Sequence, residues 1–279
     1  MTRVPFYKME ASGNDFVIID NRKGEIRDPK AFGRTVCAWH RGIGADGVLF
    51  IEPSDQHDFF LRIVNADGSE AEACGNGYRC VGRFAHEVLG LKPKMTFDTL
   101  AGPVTAEMKK KSVKVQMVQP QDLREGISLT VQNRTFEMAS INTGVPHVVI
   151  WTKDLANVQV KEWGRAIRFH EKFQPKGTNV NFVQLAQDGL LQVRTYERGV
   201  EDETLACGTG SVAAAVTAWT QKKASSPVYV ETRSGEHLII HIESSGSSLK
   251  KVFLEGSAQF VFEGKILMEA LRHINGSHA

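Results

Sequence analysis

Little in this chain points to a membrane, a metal or a nucleic acid. No run approaches the ~18 consecutive apolar residues that a spanning helix needs, so no membrane segment is expected. The opening residues, Met-Thr-Arg-Val-Pro-Phe-Tyr, lack an apolar core followed by a small-residue cleavage site. That sets the expectation of no secretory leader and a cytoplasmic location. Positive charge is not in excess. Lys and Arg number 34 against 32 Asp and Glu, a formal net charge of +2, too little to neutralise a phosphate backbone. The run Lys109, Lys110, Lys111 reads as a solvated turn. Cysteine is scarce: four residues, at 37, 74, 80 and 207. Cys74 and Cys80 do not form Cys-x-x-Cys, so neither a thioredoxin-like pair nor a zinc knuckle is indicated, and reduced thiols are expected. The stretch 41–47 holds three glycines but is not Gly-x-Gly-x-x-Gly, so no dinucleotide site is assigned. No metal site and no cofactor are expected.

What the chain does have is a repeat. Ala73-Cys74-Gly75-Asn76-Gly77 returns as Ala206-Cys207-Gly208-Thr209-Gly210, with the cysteines 133 residues apart. Nine residues before each cysteine stands a polar residue that closes a strand-like run, Asn65 and Arg198. Thr99 and Gly102 match Thr232 and Gly235 at equal distances after it. This predicts a duplicated unit with one cysteine per half. A length of 279 residues accommodates two domains. Their expected extents are 1–119, completed by a C-terminal tail of 264–279, and 120–263.

Alternation and turn residues predict many short strands and few helices. Asp28 and Pro29 open a helix as cap and first-turn residue. A second helix is expected after Gly77, and an alanine-rich one over 211–219. The segment 120–126 reads as a crossing between domains, and 267–271 as a short tail helix. Strand-rich halves without βαβ alternation exclude a doubly wound sheet. The fold class expected is α+β: two pseudo-symmetric domains, each with strands curled in a barrel-like sheet around one central helix.

Each Cys-Gly-x-Gly is placed at a strand-to-helix junction. A helix N-terminus offers unpaired N–H groups and a partial positive charge, which favour a thiolate and cradle a carboxylate. The glycines keep bulk away from that cradle. A thiol hydrolase needs one cysteine and a basic histidine, and a disulfide switch needs no anion cradles. Inverting a stereocentre by proton transfer does need this pairing, one base on one face and one acid on the other. The α-carboxylate, held by donors, takes up charge that develops on the carbon.

The chain resembles the diaminopimelate epimerase family, cofactor-independent racemases of lysine and peptidoglycan precursor synthesis. The likeness runs through Gly13-Asn14-Asp15-Phe16, Asn65-Ala66-Asp67-Gly68-Ser69, Cys74-Gly75-Asn76-Gly77-Tyr78-Arg79-Cys80 and Gly144-Val145-Pro146-His147. It continues through Thr178-Asn179-Val180-Asn181-Phe182, Tyr196-Glu197-Arg198-Gly199 and the second cysteine motif. The resemblance implies that Cys74 and Cys207 are the acid and base, exchanging roles with direction. It implies that Gly75, Asn76, Gly208 and Thr209 bind the reacting end through backbone N–H groups. Asn14, Asn65, Asn179, Glu197 and Arg198 would hold substrate polar groups, and His147 and Glu197 would tune the thiols. It implies a small-molecule amino-acid substrate, interconversion of LL- and meso-2,6-diaminoheptanedioate, and a homodimer. Two positions depart from many members: Val145 stands where they have asparagine, and Gly47 where some carry a side chain. A racemase of another amino acid, such as histidine or lysine, stays open beside this expectation, as does a thiol redox-sensing binding protein.

Overall fold

Residues 3–246 and 248–269 are described by a computed structural model. They fall into two units, one up to Val115 together with the residues from Ser257, the other Gln116–Gly256. The first unit begins β1 (Arg3–Ala11), β2 (Asn14–Asp20), α1 (Pro29–Cys37), β3 (Gly47–Glu52), β4 (Phe60–Asn65) and β5 (Glu70–Ala71). It continues α2 (Gly75–Glu87), β6 (Lys94–Phe97), β7 (Val104–Lys109) and β8 (Ser112–Gln116). The second unit runs β9 (Gln121–Val131), β10 (Arg134–Asn142), β11 (Pro146–Trp151), α3 (Val160–Arg168), β12 (Asn179–Leu185) and β13 (Leu191–Glu197). It closes with β14 (Asp202–Thr204), α4 (Gly208–Thr220), β15 (Val228–Glu231), β16 (His237–Ser245) and β17 (Ser248–Ser257). The chain then returns to the first unit as β18 (Gln259–Leu267).

In the first unit the sheet order is β18-β1-β2-β3-β4-β5, with β2 and β3 parallel, Phe16 opposite Gly47. Strand alternation divides its apolar residues between two helices. Phe16, Ile18, Leu49 and Ile51 pack toward Val81, Phe84 and Ala85 of α2. Val17, Ile19, Val48 and Phe50 pack toward Phe32, Val36 and Cys37 of α1. The meander β6-β7-β8 adds Phe97, Ala106 and Val113 around α2. A parallel bridge between Phe60 and Asp98 ties that meander to β4, so strands curl about α2.

The second unit repeats the plan. Its strands run β17-β16-β15-β13-β12-β11-β10-β9, with β14 on β13 and a parallel pair β11·β12 that sets Val149 opposite Asn181. Ile141, Val149 and Val183 face α4, while Phe136, Val148, Ile150 and Phe182 face Val160 and Ile167 of α3. Every residue of α4 from Gly210 to Ala218 is buried. A helix that is apolar all round belongs inside a core, and Ala213, Ala214 and Ala215 let strands approach it closely. Helices α2 and α4 are each 13 residues long and displaced by the same interval as the cysteines.

Three sequence expectations differ from the structure. Both central helices begin one residue after the cysteine, at Gly75 and Gly208, rather than after the second glycine. Glycine is a poor helix former, so the first turn carries no propensity signal. The segment 120–126 is not a simple crossing but enters β9, an outermost strand paired with β10. Two register shifts and the positive φ of Asp122 (55°) and Gly126 (67°) hide its alternation. The returning tail joins the first unit from Ser257, seven residues before the expected 264, because β18 pairs along β1 from Gln259 opposite Glu10 to Leu267 opposite Arg3. Of the expected helix 267–271, Leu267 instead ends β18, Met268 and Glu269 are helical, and 270 and 271 lie outside the described residues.

Candidate active site

In the first unit the site is assembled at the start of α2. Cys74 is the N-cap, with extended backbone (φ −152°, ψ 107°), and its Sγ accepts from the Gly77 N–H at 3.4 Å. The two-residue turn Ser12-Gly13, with φ of 58° and 76°, joins β1 to β2 and delivers Asn14 beside it. The Cys74 thiol donates to Asn14 Oδ1 at 3.8 Å, and Asn76 Nδ2 donates to the same oxygen at 3.4 Å. Asn14 Nδ2 donates to Asp46 at 2.5 Å. Arg79, fully buried, donates to Asn76 Oδ1 at 2.7 Å and to Ser12 Oγ at 2.6 Å. Asn65 ends β4 exposed, its amide donating to Ser69 Oγ at 2.9 Å. At Gly47 a Cβ would come within 2.7 Å of the Val64 carbonyl, so the missing side chain is a packing requirement of this chain.

In the second unit Cys207 holds the N-cap position of α4, again extended (φ −129°, ψ 107°), with Sγ 3.5 Å from Thr209 Oγ1. The Thr143 hydroxyl donates to the Thr209 carbonyl at 3.1 Å, tying the residue after β10 to that first turn. Behind it stands Asn181, fully buried. Its Nδ2 donates to the Val148 carbonyl (2.8 Å) and to His147 Nδ1 (3.1 Å), and its Oδ1 accepts from Thr195 Oγ1 (2.9 Å). Because the Val148 carbonyl can only accept, the amide orientation is fixed and His147 Nδ1 is the acceptor. The ring proton is therefore on Nε2, which is buried and finds no partner among the described residues. Asn179 uses its side chain to hold backbone: Nδ2 donates to the Pro146 carbonyl (2.9 Å) and Oδ1 accepts from the Arg198 N–H (2.8 Å). Arg198 is half-buried and donates to the Lys176 carbonyl at 3.0 Å. Glu197, Gly208 and Thr209 are half-buried, as is Val145, whose carbonyl accepts from the Thr143 N–H.

The electrostatics correct one expectation. Burial, with the Glu197 carboxylate next, pushes the Cys207 thiol up to about 12, and the Thr209 hydroxyl and the N–H groups of Gly210 and Thr209 only partly offset this. The helix start does favour the thiolate, but desolvation outweighs it, and Cys207 is a thiol at neutral pH. Burial also raises Glu197. It lowers His147 to about 3, helped by the Arg198 charge and opposed by Asn181, so the ring is neutral. Sequence reasoning missed Ser12, Asp46, Arg79, Asn181 and Thr195 as site-shaping residues. Asn181 stood inside a quoted motif, and Asp46 inside the glycine-rich stretch. Neither type reveals from sequence which neighbours its side chain will hold.

A family model described as "Diaminopimelate epimerase" matches residues 6–122 and 139–261. The chain belongs to the diaminopimelate epimerase family. Diaminopimelate epimerase of Aquifex aeolicus is 47% identical to it, the alignment covering 96% of this chain and 99% of that protein. The enzyme of the same name from a Hydrogenobaculum species is 46% identical, over 94% and 98%. A crystal structure of a phenazine biosynthesis protein of the PhzF family from Enterococcus faecalis is similar in fold. Its TM-score is 0.74 at 15% identity, covering 95% of this chain and 100% of that one. Membership of the diaminopimelate epimerase family makes the chain an isomerase.

Proposed function

We propose that this chain interconverts LL-2,6-diaminoheptanedioate and its meso isomer by two-base proton transfer at one α-carbon, in lysine and peptidoglycan precursor synthesis. Cys74 and Cys207 are the proton-transfer groups. The observation that carries the reading is that each cysteine stands at the N-cap position of a 13-residue helix, at the same point of a duplicated unit. One thiolate removes the α-proton while the other thiol delivers a proton to the opposite face, and the roles exchange in the reverse direction. In the direction that needs Cys207 as the acid, burial keeps its proton in place. Backbone N–H groups of Gly75, Asn76, Gly208 and Thr209 receive the α-carboxylate and the charge developing beside it.

Asn14, Asn65, Asn179, Glu197 and Arg198 recognise the remaining polar groups. Arg198 supplies a planar fork for a carboxylate. His147 and Glu197 tune the thiols, Glu197 by its charge beside Cys207. Val145 has no side-chain hydrogen-bonding group, so its position contributes backbone alone. The enzyme works without pyridoxal phosphate or metal, as a cytoplasmic homodimer. The test is incubation of diaminopimelate, lysine and histidine stereoisomers in deuterated water, scored for inversion and α-deuterium. Inversion of diaminopimelate alone is expected. Inversion of lysine or histidine without diaminopimelate would replace the substrate, and no exchange in any of them would remove the racemase reading.

A further inference from the structure

The amides around Cys74 form a directed chain between two charges. Arg79 donates to Asn76 Oδ1 (2.7 Å), Asn76 Nδ2 donates to Asn14 Oδ1 (3.4 Å), and Asn14 Nδ2 donates to the Asp46 carboxylate (2.5 Å). A guanidinium can only donate and a carboxylate can only accept. Each end therefore forbids the flipped amide, since flipping Asn76 would set N–H against N–H and flipping Asn14 would set oxygen against oxygen. Asp46 is itself held. Its Oδ2 also accepts from the Asp15 N–H (3.1 Å), its own N–H donates to Asp15 Oδ1 (3.0 Å), and its carbonyl accepts from the Ala66 N–H (3.0 Å). At the other end Arg79 is buried and also bound to Ser12.

We infer that Asp46 and Arg79 are positioning residues that lock Asn14 with its carbonyl, not its amide nitrogen, facing the Cys74 sulfur. The inference rests on the reading of Cys74 as a proton-transfer group and says how that group serves both directions. As a thiol it donates to Asn14 Oδ1, and as a thiolate it accepts from the Gly77 N–H. Each protonation state has a partner in place, so the proton can leave or arrive without rearrangement of the site. Released, the Asn14 amide would turn its NH₂ to the sulfur and favour the thiolate alone, impairing the direction in which Cys74 is the acid.

The test reads Cys74 directly and needs no turnover. Iodoacetamide labelling of Cys74 is followed against pH by peptide mass spectrometry in Asp46→Ala, Asp46→Asn, Asn14→Ala and the Asp46→Ala/Asn14→Ala double variant. The other charged or titratable neighbours, Lys8 and Asp15 from β1 and β2, and Tyr78 and Arg79 from α2, are unchanged throughout. Asp46→Asn loses the charge but keeps an acceptor that the Asp15 N–H orients. Asp46→Ala loses both. Asp46→Ala is expected to lower the pH midpoint of labelling by about one pH unit relative to Asp46→Asn, which stays near the parent. In the Asn14→Ala background the Asp46→Ala change should add nothing.

Equal shifts in Asp46→Ala and Asp46→Asn would make the effect one of charge and overturn the lock. So would an Asp46→Ala shift that persists without Asn14, or no shift at all. Failure of the epimerase reading would show instead as absent inversion in the parent protein, with the labelling pattern intact.

Discussion

Gly210 is where a single missing side chain holds the second cysteine site together. A Cβ there would stand 2.3 Å from Asn181 Oδ1 and 3.2 Å from Cys207 Sγ. Gly210→Ala is therefore expected to displace Asn181, lose about 1–3 kcal/mol of stability and impair turnover. Urea unfolding and initial rates check both. Asn181→Ala should cost at least as much, because the Val148 carbonyl, His147 and Thr195 all lose their partner. His147 gives a pH signature. Its folded value, about 3, lies below the ordinary value of 6.5, so the unfolded chain binds the extra proton between those limits. Its contribution is complete above pH 6.5 and lost as pH falls toward 3, at up to about 1.4 kcal/mol per pH unit. His147→Gln should flatten the fall in urea midpoint between pH 6.5 and 4.5. An unchanged slope would mean that the ring does not titrate with unfolding. Cys207 has the opposite sense. Its folded value of about 12 lies above the ordinary 9.0, so its contribution is complete below pH 9 and is lost as pH rises toward 12. Glu197→Gln removes the second-largest cause of that rise, and labelling of Cys207 should then begin at lower pH.

Among elements, the helix ends were the most legible. Asp28 and Pro29 announced α1, and Asp28 Oδ1 does accept from the Ala31 N–H at 2.9 Å. Asp28→Ala should cost about 1 kcal/mol in urea unfolding and leave turnover unchanged, since α1 packs on the sheet face away from α2. The two central helices were legible from the repeated cysteine motif, and α4 also from its alanines. Their first turns were not, because glycines give the pattern no helical weight. Strand β9 was hidden by its two register shifts, and β5 and β14, of two and three residues, are too short to show alternation. The two cysteines and their glycines could be read from spacing alone. The second layer could not. Which way an asparagine amide points depends on whether Asp46, Arg79 or a backbone carbonyl stands next to it, and strand pairing far along the chain decides that. The paired register makes the point sharply. Gly47 lies opposite Phe16 as Asn181 lies opposite Val149, so one strand position of the repeat carries a polar hub in one unit and no side chain in the other.

At the scale of the whole molecule, duplication gives each unit the same device: a parallel strand pair covered on both faces, an inner helix, and a cysteine at its start. The two copies then diverge in environment. Cys74 is half-buried with an amide acceptor, and Cys207 is buried beside a carboxylate. No cofactor is called for in this scheme, so chelation and a carbonyl-trapping reagent should leave turnover intact. Activity that vanished and returned with pyridoxal phosphate would refute it. Arg198→Lys should weaken substrate binding with both thiols in place, seen as a raised KM, because an ammonium cannot reproduce the planar fork. The central claim, that both thiols move the proton, meets its most direct test in deuterium exchange. Cys74→Ala and Cys207→Ala are each given pure LL- and pure meso-diaminopimelate in deuterated water. The account predicts no inversion by either variant, and any residual α-exchange confined to a different stereoisomer in each. Near-normal inversion by Cys207→Ala would contradict it and leave Cys207 as a buried residue at a helix start.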